Sequence, residues 1–360
     1  MERLFNFAAG PAVLPESVLA QASEHLLSLG DTGIGILEHS HRGDAFGKII
    51  ASAEARIRRL AALPDDVAVL FLQGGASLQF SMVPANLRDD QHIANYINSG
   101  TWSTKAIDAA SATGRVHVAA SSESAEFRQL PEPPVLSDAP AYLHYTSNNT
   151  IAGTQFADPP TRPAEVPLVC DASSDILSRP LDLRQHDLVY AGAQKNLGPA
   201  GLTLVLVRHE LLQRAPDQLP KVLRYATHAA AGSLYHTPPA FSIYVTDLVL
   251  EWLEEQGGLD VVAQRNREQA SRLYERIDVS EVLNCRCDPA ARSTMNVVFS
   301  AGSPEADQKF LSRCQAAGVV GLKGHRSVGG LRASLYNAQT DAAIDRLLEV
   351  IDAFETEATE

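Results

Sequence analysis

The chain has 360 residues, of which 45% are hydrophobic and 20% are charged, and its formal net charge is −13. A chain of this length is too long for one small hydrophobic core, so we expect two domains. The negative charge argues against a nucleic-acid or anionic-membrane partner, and it means that an anionic substrate would need a locally basic pocket.

Apolar segments and cysteines in the sequence indicate the cellular compartment in which the protein is expected. The longest apolar runs are strand-sized, so we expect no membrane span, and Met1–Gly10 lacks the basic head and apolar stretch of a secretory signal. Cys285 and Cys287 are one residue apart, and Cys170 and Cys314 do not form a second pair that would complete a zinc site. We therefore expect free thiols in a reducing cytoplasm, and no bound metal.

Helical and strand-like patterns alternate along the first two thirds of the chain. Residues 15–29 predict an amphipathic helix that Gly30 stops, and the apolar stripe from Phe46 to Leu60 predicts another, closed by Pro64. The predicted strands that follow are Val67–Leu72, Ile93–Ile97, Val116–Ala119, Tyr142–Tyr145, Val166–Cys170, Leu188–Tyr190 and Leu202–Val207. Such unbroken apolar runs between helices indicate an α/β fold with a mostly parallel sheet covered on both faces.

A glycine pair marks the predicted domain boundary. Gly257 and Gly258 follow the helical pattern of Phe241–Gln256. Beyond them the pattern indicates a smaller α+β domain, whose predicted elements are a helix (Leu259–Ile277), a strand (Asn296–Ser300), a helix (Glu305–Ala317), a strand (Leu331–Leu335) and a helix from Asp341. We predict a large domain over residues 15–257 and a small domain made of residues 1–14 and 258–360.

One lysine is placed among small, turn-forming residues. Residues 190–201 read YAGAQKNLGPAG, and they lie between two apolar runs. Two strands joined by this loop would hold Lys195 at the rim of a sheet, against the interior. A buried cation is costly, so the pKa of Lys195 should fall and its amine should become a nucleophile. Such an amine can condense with a carbonyl compound, above all pyridoxal phosphate, PLP. The alternative is an ordinary surface-loop lysine.

Other chemistry-bearing residues fall where predicted strands end, the place where such sheets bind ligands. Residues 73–77 (QGGAS) join a strand to a helix and suit a phosphate, although they also suit an ordinary turn. Asp171 directly follows an apolar strand and could pair with a protonated pyridine nitrogen, or cap a helix. Trp102 could stack on a heteroaromatic ring, or belong to the core.

Two predicted loops carry His-Arg pairs. His41 and Arg42 lie near the N-terminus, His325 and Arg326 lie near the C-terminus, and Arg332 follows a second glycine pair. Arginine binds carboxylate or phosphate through two parallel hydrogen bonds, and histidine adds a donor. These loops therefore suit a substrate with two acidic groups.

Seven segments together resemble one known family. They are FNFAAGPAVLP (5–15), SHRG (40–43), FLQGGASLQF (71–80), DASSDILSRP (171–180), YAGAQKNLGPAGL (190–202), TPP (237–239) and KGHRSVGGLRASLYNA (323–338). They are similar to the phosphoserine aminotransferase family, among the class V, fold-type I PLP enzymes. The resemblance covers nearly the whole chain in order, and SHRG with the last segment separates this family from its cysteine-desulfurase and alanine–glyoxylate relatives.

The resemblance implies a PLP-dependent aminotransferase. The implied reaction is reversible transfer between L-glutamate and 3-phosphohydroxypyruvate, giving O-phospho-L-serine and 2-oxoglutarate. 4-Phosphooxy-L-threonine is implied as a second substrate, in pyridoxine synthesis. The active form would be a homodimer with shared sites. The alternatives are another class V PLP enzyme, such as an alanine–glyoxylate aminotransferase or a cysteine desulfurase, and a non-catalytic protein that binds a phosphorylated metabolite.

The resemblance also implies a role for each site residue. Lys195 would carry PLP, and Asp171 would pair with the ring nitrogen. The other implied cofactor contacts are Trp102 on the ring, Thr150 at the phenolic oxygen, Ala76, Ser77 and Gln194 at the phosphate, and His236 and Thr237 at the phosphate of the neighbouring subunit's cofactor. The implied substrate contacts are Arg332 at the α-carboxylate, and His41, Arg42, His325 and Arg326 at the distal anion, with His325 and Arg326 crossing from the partner subunit.

Overall fold

The computed structural model describes residues 3–180 and 182–359. Its α-helices are α1 (Glu16–Glu24), α2 (Asp44–Leu60), α3 (Gly75–Leu87), α4 (Thr101–Ser111), α5 (Tyr225–Ala230), α6 (Ala240–Glu255), α7 (Gly258–Asp278), α8 (Pro304–Ala316) and α9 (Asp341–Thr359). Its strands are β1 (Phe5–Asn6), β2 (Val67–Leu72), β3 (Ile93–Asn98), β4 (Val116–Ser121), β5 (Pro140–Thr146), β6 (Asn148–Asn149), β7 (Thr154–Gln155), β8 (Leu168–Asp171), β9 (Leu188–Gly192), β10 (Thr203–Arg208), β11 (Asn284–Cys285), β12 (Asn296–Ser300), β13 (Val319–Val320) and β14 (Leu331–Ser334). No helix within these described residues is long and apolar enough to cross a membrane.

Seven of the described strands form the central sheet, in the order β2-β10-β9-β8-β5-β3-β4. The pairs from β9 through β4 are parallel, whereas β10 runs antiparallel to both β9 and β2. A parallel pair needs a crossover of a dozen or more residues, and the connection over residues 193–202 is too short for one. The chain therefore folds straight back after β9, and the connection that carries Lys195 becomes a tight loop at the sheet edge.

Apolar side chains cover the central sheet on both faces. On one face, α2 and α6 pack against strand residues such as Val69 and Leu204. On the other face, α3, α4 and α5 pack against residues such as Leu70 and Val205, and these alternate along the same strands with the first set. Burial on both faces explains why the strands read as unbroken apolar runs. The predicted mostly parallel α/β fold is thus confirmed.

A second core lies around the three-stranded sheet β11-β12-β14. It contains Phe7 from the N-terminal segment and apolar residues of α7, α8 and α9. Helix α7 reaches both cores, because Leu259 and Val262 belong to the first and Leu273 and Ile277 to the second. We therefore propose a boundary near the start of α7, with residues 1–14 in the small domain, as the sequence predicts.

The helix predicted over residues 15–29 ends earlier, so that prediction is wrong in its last turn. Helix α1 stops at Glu24, and Leu27, three residues beyond this end, is 86% exposed. The chain turns back so closely that the amide of Ile36 donates to the carbonyl of His25 at 3.0 Å. A Cβ on Gly35 would collide with the carbonyl oxygen of Leu26, so this reversal requires glycine.

Strand β8 also differs from its prediction. It begins at Leu168 rather than Val166, because Pro167 has no N–H to donate to the neighbouring strand. It extends by one residue to Asp171, which pairs with Thr146 of β5 and Tyr190 of β9. The acidic side chain is therefore part of the sheet rather than of the loop after it.

Gly35→Ala tests the close reversal after α1. Overpacking against the Leu26 backbone should lower the free energy of unfolding by about 1–3 kcal/mol. Gly47→Ala is the matched control, because nothing lies within 4 Å of a Cβ at that position in α2, and alanine should stabilise the helix by about 0.5–1 kcal/mol. Urea unfolding of the three proteins measures both values. Equal stability of Gly35→Ala and the wild type would contradict the packing described here.

Candidate active site

A cavity of about 300 Å³ opens at the carboxyl ends of β5 and β8. Its walls come from strand ends, the starts of α3 and α4, the loop after β9 and polar residues of the small domain. Most of the predicted site residues line it, namely Ala76, Ser77, Trp102, Thr150, Asp171, Gln194, Lys195, His325 and Arg332. Residues that are far apart in sequence therefore meet in one cavity of this chain.

Lys195 is buried in this cavity, with 9% of its surface exposed. Its Nζ donates a hydrogen bond to the Thr150 hydroxyl at 2.9 Å. Burial lowers the pKa of Lys195 to about 8, the nearby Asp171 opposes this shift, and Arg332 adds to it. The amine therefore has a substantial neutral fraction at a mildly alkaline pH, and a neutral amine is a nucleophile and a base.

Gly10 makes room for the lysine side chain. Its φ of 128° lies in the region that favours glycine, and a Cβ there would lie 3.3 Å from Cγ of Lys195. The amide of Ala12, two residues on, donates to the Gln194 carbonyl at 2.9 Å. The N-terminal segment thus packs directly against the lysine loop and limits where the amine can lie.

Asp171 faces the same cavity and is 3% exposed. Its carboxylate accepts hydrogen bonds from the amide of Ser173 at 3.0 Å and from the Ser173 hydroxyl at 2.6 Å. The same hydroxyl accepts from the amide of Gly192, at the start of the lysine loop. Burial raises the pKa of Asp171, while the Ser173 donors and the Lys195 charge pull it down. Ser173 therefore fixes the carboxylate and joins it to β9.

The turn before α3 forms one end of the cavity, and its backbone suits an anion. Gly74 and Gly75 have φ values of 89° and 64°, and Gly75, Ala76 and Ser77 line the cavity at the start of the helix. No side chain among the described residues caps this helix, so its first amides are available to a ligand. Free amides and the helix dipole together favour a phosphate group.

Trp102 forms one wall, at the start of α4. The Lys195 Nζ lies 5.9 Å from the centre of the indole ring, and the Lys105 Nζ lies 4.6 Å from it. The preceding Gly100 has a φ of 151°, and a Cβ there would collide with the amide group of Asn149. Glycine at that position lets α4 start close enough to bring the ring to the cavity.

Basic side chains lie where the small domain borders the cavity. Arg332 of β14 donates from Nη1 to the Thr150 carbonyl at 3.2 Å, and its buried Nε has no partner among the described residues. His325 lines the cavity of its own chain, and its pKa is lowered by burial and then by Arg332, Arg326 and Lys105. This cationic side suits an anionic substrate, despite the negative charge of the whole chain.

The remaining predicted residues do not line the cavity of the described chain. Arg42 and Arg326 are exposed, and Arg42 donates from Nε to Nε2 of His41 at 3.3 Å. His236 and Thr237 precede α6, and Gln73 donates to the Thr237 carbonyl at 3.1 Å. Their functional roles stay predictions, as does the crossing of His325 from a partner subunit.

Some cavity residues carry no role in the sequence-based prediction. Thr146 and Asn148 end the β5 region, and Ser173 and Ser174 follow Asp171. Thr146 pairs with Asp171 across the sheet. Polar residues where apolar strands end were the signal that could have identified these residues. Using it requires the order of the strands in the sheet, which the local sequence does not reveal.

Comparison with known proteins agrees with this geometry. The family model of aminotransferase class-V matches residues 4–347. A phosphoserine aminotransferase of Bacillus cereus is 47% identical over 359 residues, covering 99% of each chain. A solved phosphoserine aminotransferase from Bacillus circulans subsp. alkalophilus has a TM-score of 0.97 and 47% identity, covering 99% of this chain and 100% of that one. The PLP-bound phosphoserine aminotransferase from Trichomonas vaginalis has a TM-score of 0.93 and 36% identity, covering 97% and 100%.

The α/β fold is that of the class-V aminotransferases. The chain therefore belongs to that class and, within it, to the phosphoserine aminotransferase family. The predicted fold class and family are both confirmed.

The lowered pKa of Lys195 predicts a pH effect on stability. The unfolded chain holds the lysine proton up to about pH 10.5, whereas the folded chain releases it from about pH 8. Between these values the unfolded state binds more protons, so stability should rise with pH, by at most about 1.4 kcal/mol per pH unit. Urea unfolding of the cofactor-free chain, compared with Lys195→Met at each pH, isolates this contribution. A difference between the two proteins that stays constant from about pH 7.5 to about pH 10 would contradict it.

Proposed function

We propose that the chain transfers an amino group between L-glutamate and 3-phosphohydroxypyruvate, giving O-phospho-L-serine and 2-oxoglutarate. The observation that carries this proposal is a buried amine, Lys195, sharing a cavity with the carboxylate of Asp171 and the guanidinium of Arg332. Family membership supports the reaction type, and the names of the relatives described above support phosphoserine as the phosphorylated amino acid.

The cavity residues fit PLP. Buried polar atoms that lack a partner among the described residues are found on three cavity residues, namely Thr146 (Oγ1), Trp102 (Nε1) and Arg332 (Nε). Amides at the start of α3, with Ser77 and Gln194, would hold the phosphate group. Trp102 would stack on the ring, Thr150 would bond its phenolic oxygen, and Asp171 would accept from the ring N–H and keep it charged.

Each protein group then has a defined task. PLP, when bound, supplies an electron sink for the negative charge that develops at the substrate Cα. Lys195 would anchor the cofactor, and its freed Nζ would take the proton from Cα of the amino donor. In the second half of the reaction, Nζ would deliver a proton to Cα of the new amino acid. A pKa of about 8 suits this base near neutral pH. Arg332 would bind the α-carboxylate and thereby orient the Cα–H bond toward Nζ.

The distal end of the substrate must accept either a γ-carboxylate or a phosphate. His325 lies in the cavity, and Arg326 follows it in the same loop. We propose that these residues bind the distal anion together with His41 and Arg42, since cationic donors accept both kinds of anion. 4-Phosphooxy-L-threonine stays a predicted second substrate, and the cytoplasmic location also stays a prediction.

The alternative of a cysteine desulfurase requires a thiol at the site. In the described chain, none of the four cysteines lines the cavity. The alternative of a non-catalytic phosphate binder would not require a lysine buried opposite a carboxylate. Neither alternative accounts for the cavity as well as transamination does.

We also propose a homodimer. The loop between α1 and α2 exposes apolar side chains, including Leu27 at 86%, Ile34 at 46% and Leu37 at 64%, and it leads directly to His41 and Arg42. Exposed apolar side chains grouped in this way favour a protein interface. An interface here would place His41 and Arg42 beside the partner subunit, from which His325 and Arg326 would cross to the same distal anion, as the family resemblance implies.

Lys195→Ala tests the catalytic proposal. The variant should lose at least about a thousandfold in transamination rate, because both the anchor and the base are removed. It should also lose the visible absorption of the covalently bound cofactor. Lys105→Ala is the control, since that lysine is exposed beside Trp102 and does not line the cavity, and it should retain the absorption. Retained turnover by Lys195→Ala would refute the assignment.

Leu27→Asp tests the dimer. A buried charge at the interface should shift the chain from dimer to monomer in sedimentation experiments and reduce activity with it. Val279→Asp is the matched control, because Val279 is 75% exposed at the end of α7, in the small domain. If both variants sediment like the wild type, the interface lies elsewhere.

A further inference from the structure

Two thiols of the small domain lie side by side. The Sγ atoms of Cys285 and Cys287 are 3.9 Å apart, at the end of β11. Both cysteines are free, with Cys285 half-buried and Cys287 buried. Side chains two residues apart on an extended segment point to the same face, which explains the approach. These residues take no part in the proposed transamination.

The two thiols differ in reactivity. The hydrogen bond between the two sulfur atoms lowers the pKa of Cys285 to about 7, the Arg292 guanidinium acts in the same direction, and burial opposes both. The same hydrogen bond and burial raise the pKa of Cys287. A more exposed thiolate beside a buried, protonated thiol is the arrangement of an attacking and a resolving cysteine.

We propose that Cys285 and Cys287 form a dithiol site that a small-molecule disulfide oxidises to an intramolecular bridge. The Cys285 thiolate attacks one sulfur of the disulfide and releases the other half, which takes up a proton as a thiol. Cys287 then loses its proton and attacks Sγ of Cys285, which releases the second half as a thiol. The two cysteines are oxidised to one bridge, and the small disulfide is reduced to two thiols.

Bridge formation requires movement of the backbone at Arg286. Two residues of extended chain span about 6.6 Å, at the upper limit of the Cα separation that a disulfide allows. The segment must therefore bend at the residue between the cysteines. A bridge that strains the backbone is easily reduced, which makes this modification reversible.

Arg286 connects the dithiol to the active-site loop. Its amide donates to the Val298 carbonyl at 3.1 Å, and its Nη1 donates to the Val328 carbonyl at 3.0 Å. Val328 belongs to the loop that carries His325 and Arg326, and the Val328 amide in turn donates to the His325 carbonyl. Bending at Arg286 breaks this hold on the loop. Oxidation should therefore weaken binding of the substrate's distal anion, a consequence that rests on the proposed function.

Peptide mapping tests the bridge itself. The PLP-loaded enzyme is incubated with oxidised glutathione and digested with trypsin, which cleaves after Arg286 and separates the two cysteines into peptides 277–286 and 287–292. An intramolecular bridge keeps these peptides joined until a reductant is added. Cys285→Ser should abolish the joined species, and Cys314→Ser, which changes a buried thiol of α8, should preserve it. Glutathione adducts without joined peptides would overturn the proposal.

Kinetics test the connection to the loop. Oxidation should raise KM for O-phospho-L-serine by about threefold to tenfold and change kcat by less than about twofold. Arg286→Gln in the reduced state should raise KM in the same way, whereas Arg313→Gln, on α8, should not. A bridged enzyme with unchanged KM would overturn the connection. Joined peptides in a chain whose reduced form does not transaminate would support the dithiol site and refute the proposed function instead.

Discussion

The site depends on the burial of an amine, Lys195, and a carboxylate, Asp171, at the ends of two adjacent strands. Lys195 and Asp171 are both buried, and each moves the pKa of the other toward the charged form while burial does the opposite. Desolvating two ionisable groups costs several kcal/mol each unless hydrogen bonds and opposite charge offset the cost. Ser173 and Thr150 supply those hydrogen bonds. Burial outweighs the attraction of Asp171, so the pKa of the Lys195 amine is lowered and its neutral, nucleophilic form is accessible.

The cavity needs both cores, so the contact between them must be well defined. Asn148 donates to the side chain of Asn296 at 2.8 Å and accepts from Ser293, and Asn337 donates from its amide to Asn196 at 3.0 Å. Buried polar groups that are fully paired specify one arrangement, because a shift would leave them without partners. Asn196 directly follows Lys195, so the lysine loop is itself part of this contact. Arg332 thereby reaches Thr150 with a fixed geometry.

Prediction from sequence was best where a local pattern and the burial agree. Strands β2 and β12 have the predicted bounds, because their residues are buried almost throughout and read as continuous apolar runs. Helix α1 was predicted five residues too long, because the apolar stripe continues to Leu29 although the chain reverses. That reversal depends on contact between Gly35 and the Leu26 backbone, and the helical pattern contains no sign of it.

The sequence by itself determined the α/β class, the glycine-broken loop around Lys195 and the acidic residue at a strand end, because these follow from periodicity and residue type. Tertiary structure decided which of the candidates meet. Thr150 binds the lysine and Arg332 binds Thr150, while Arg42 and His236 do not line the cavity of the described chain. The reason is that the order β9-β8-β5 and the approach of the small domain are set by contacts between residues far apart in the chain. The sequence predicted the direction of the pKa shift of the amine, whereas its size depends on the degree of burial that those contacts produce.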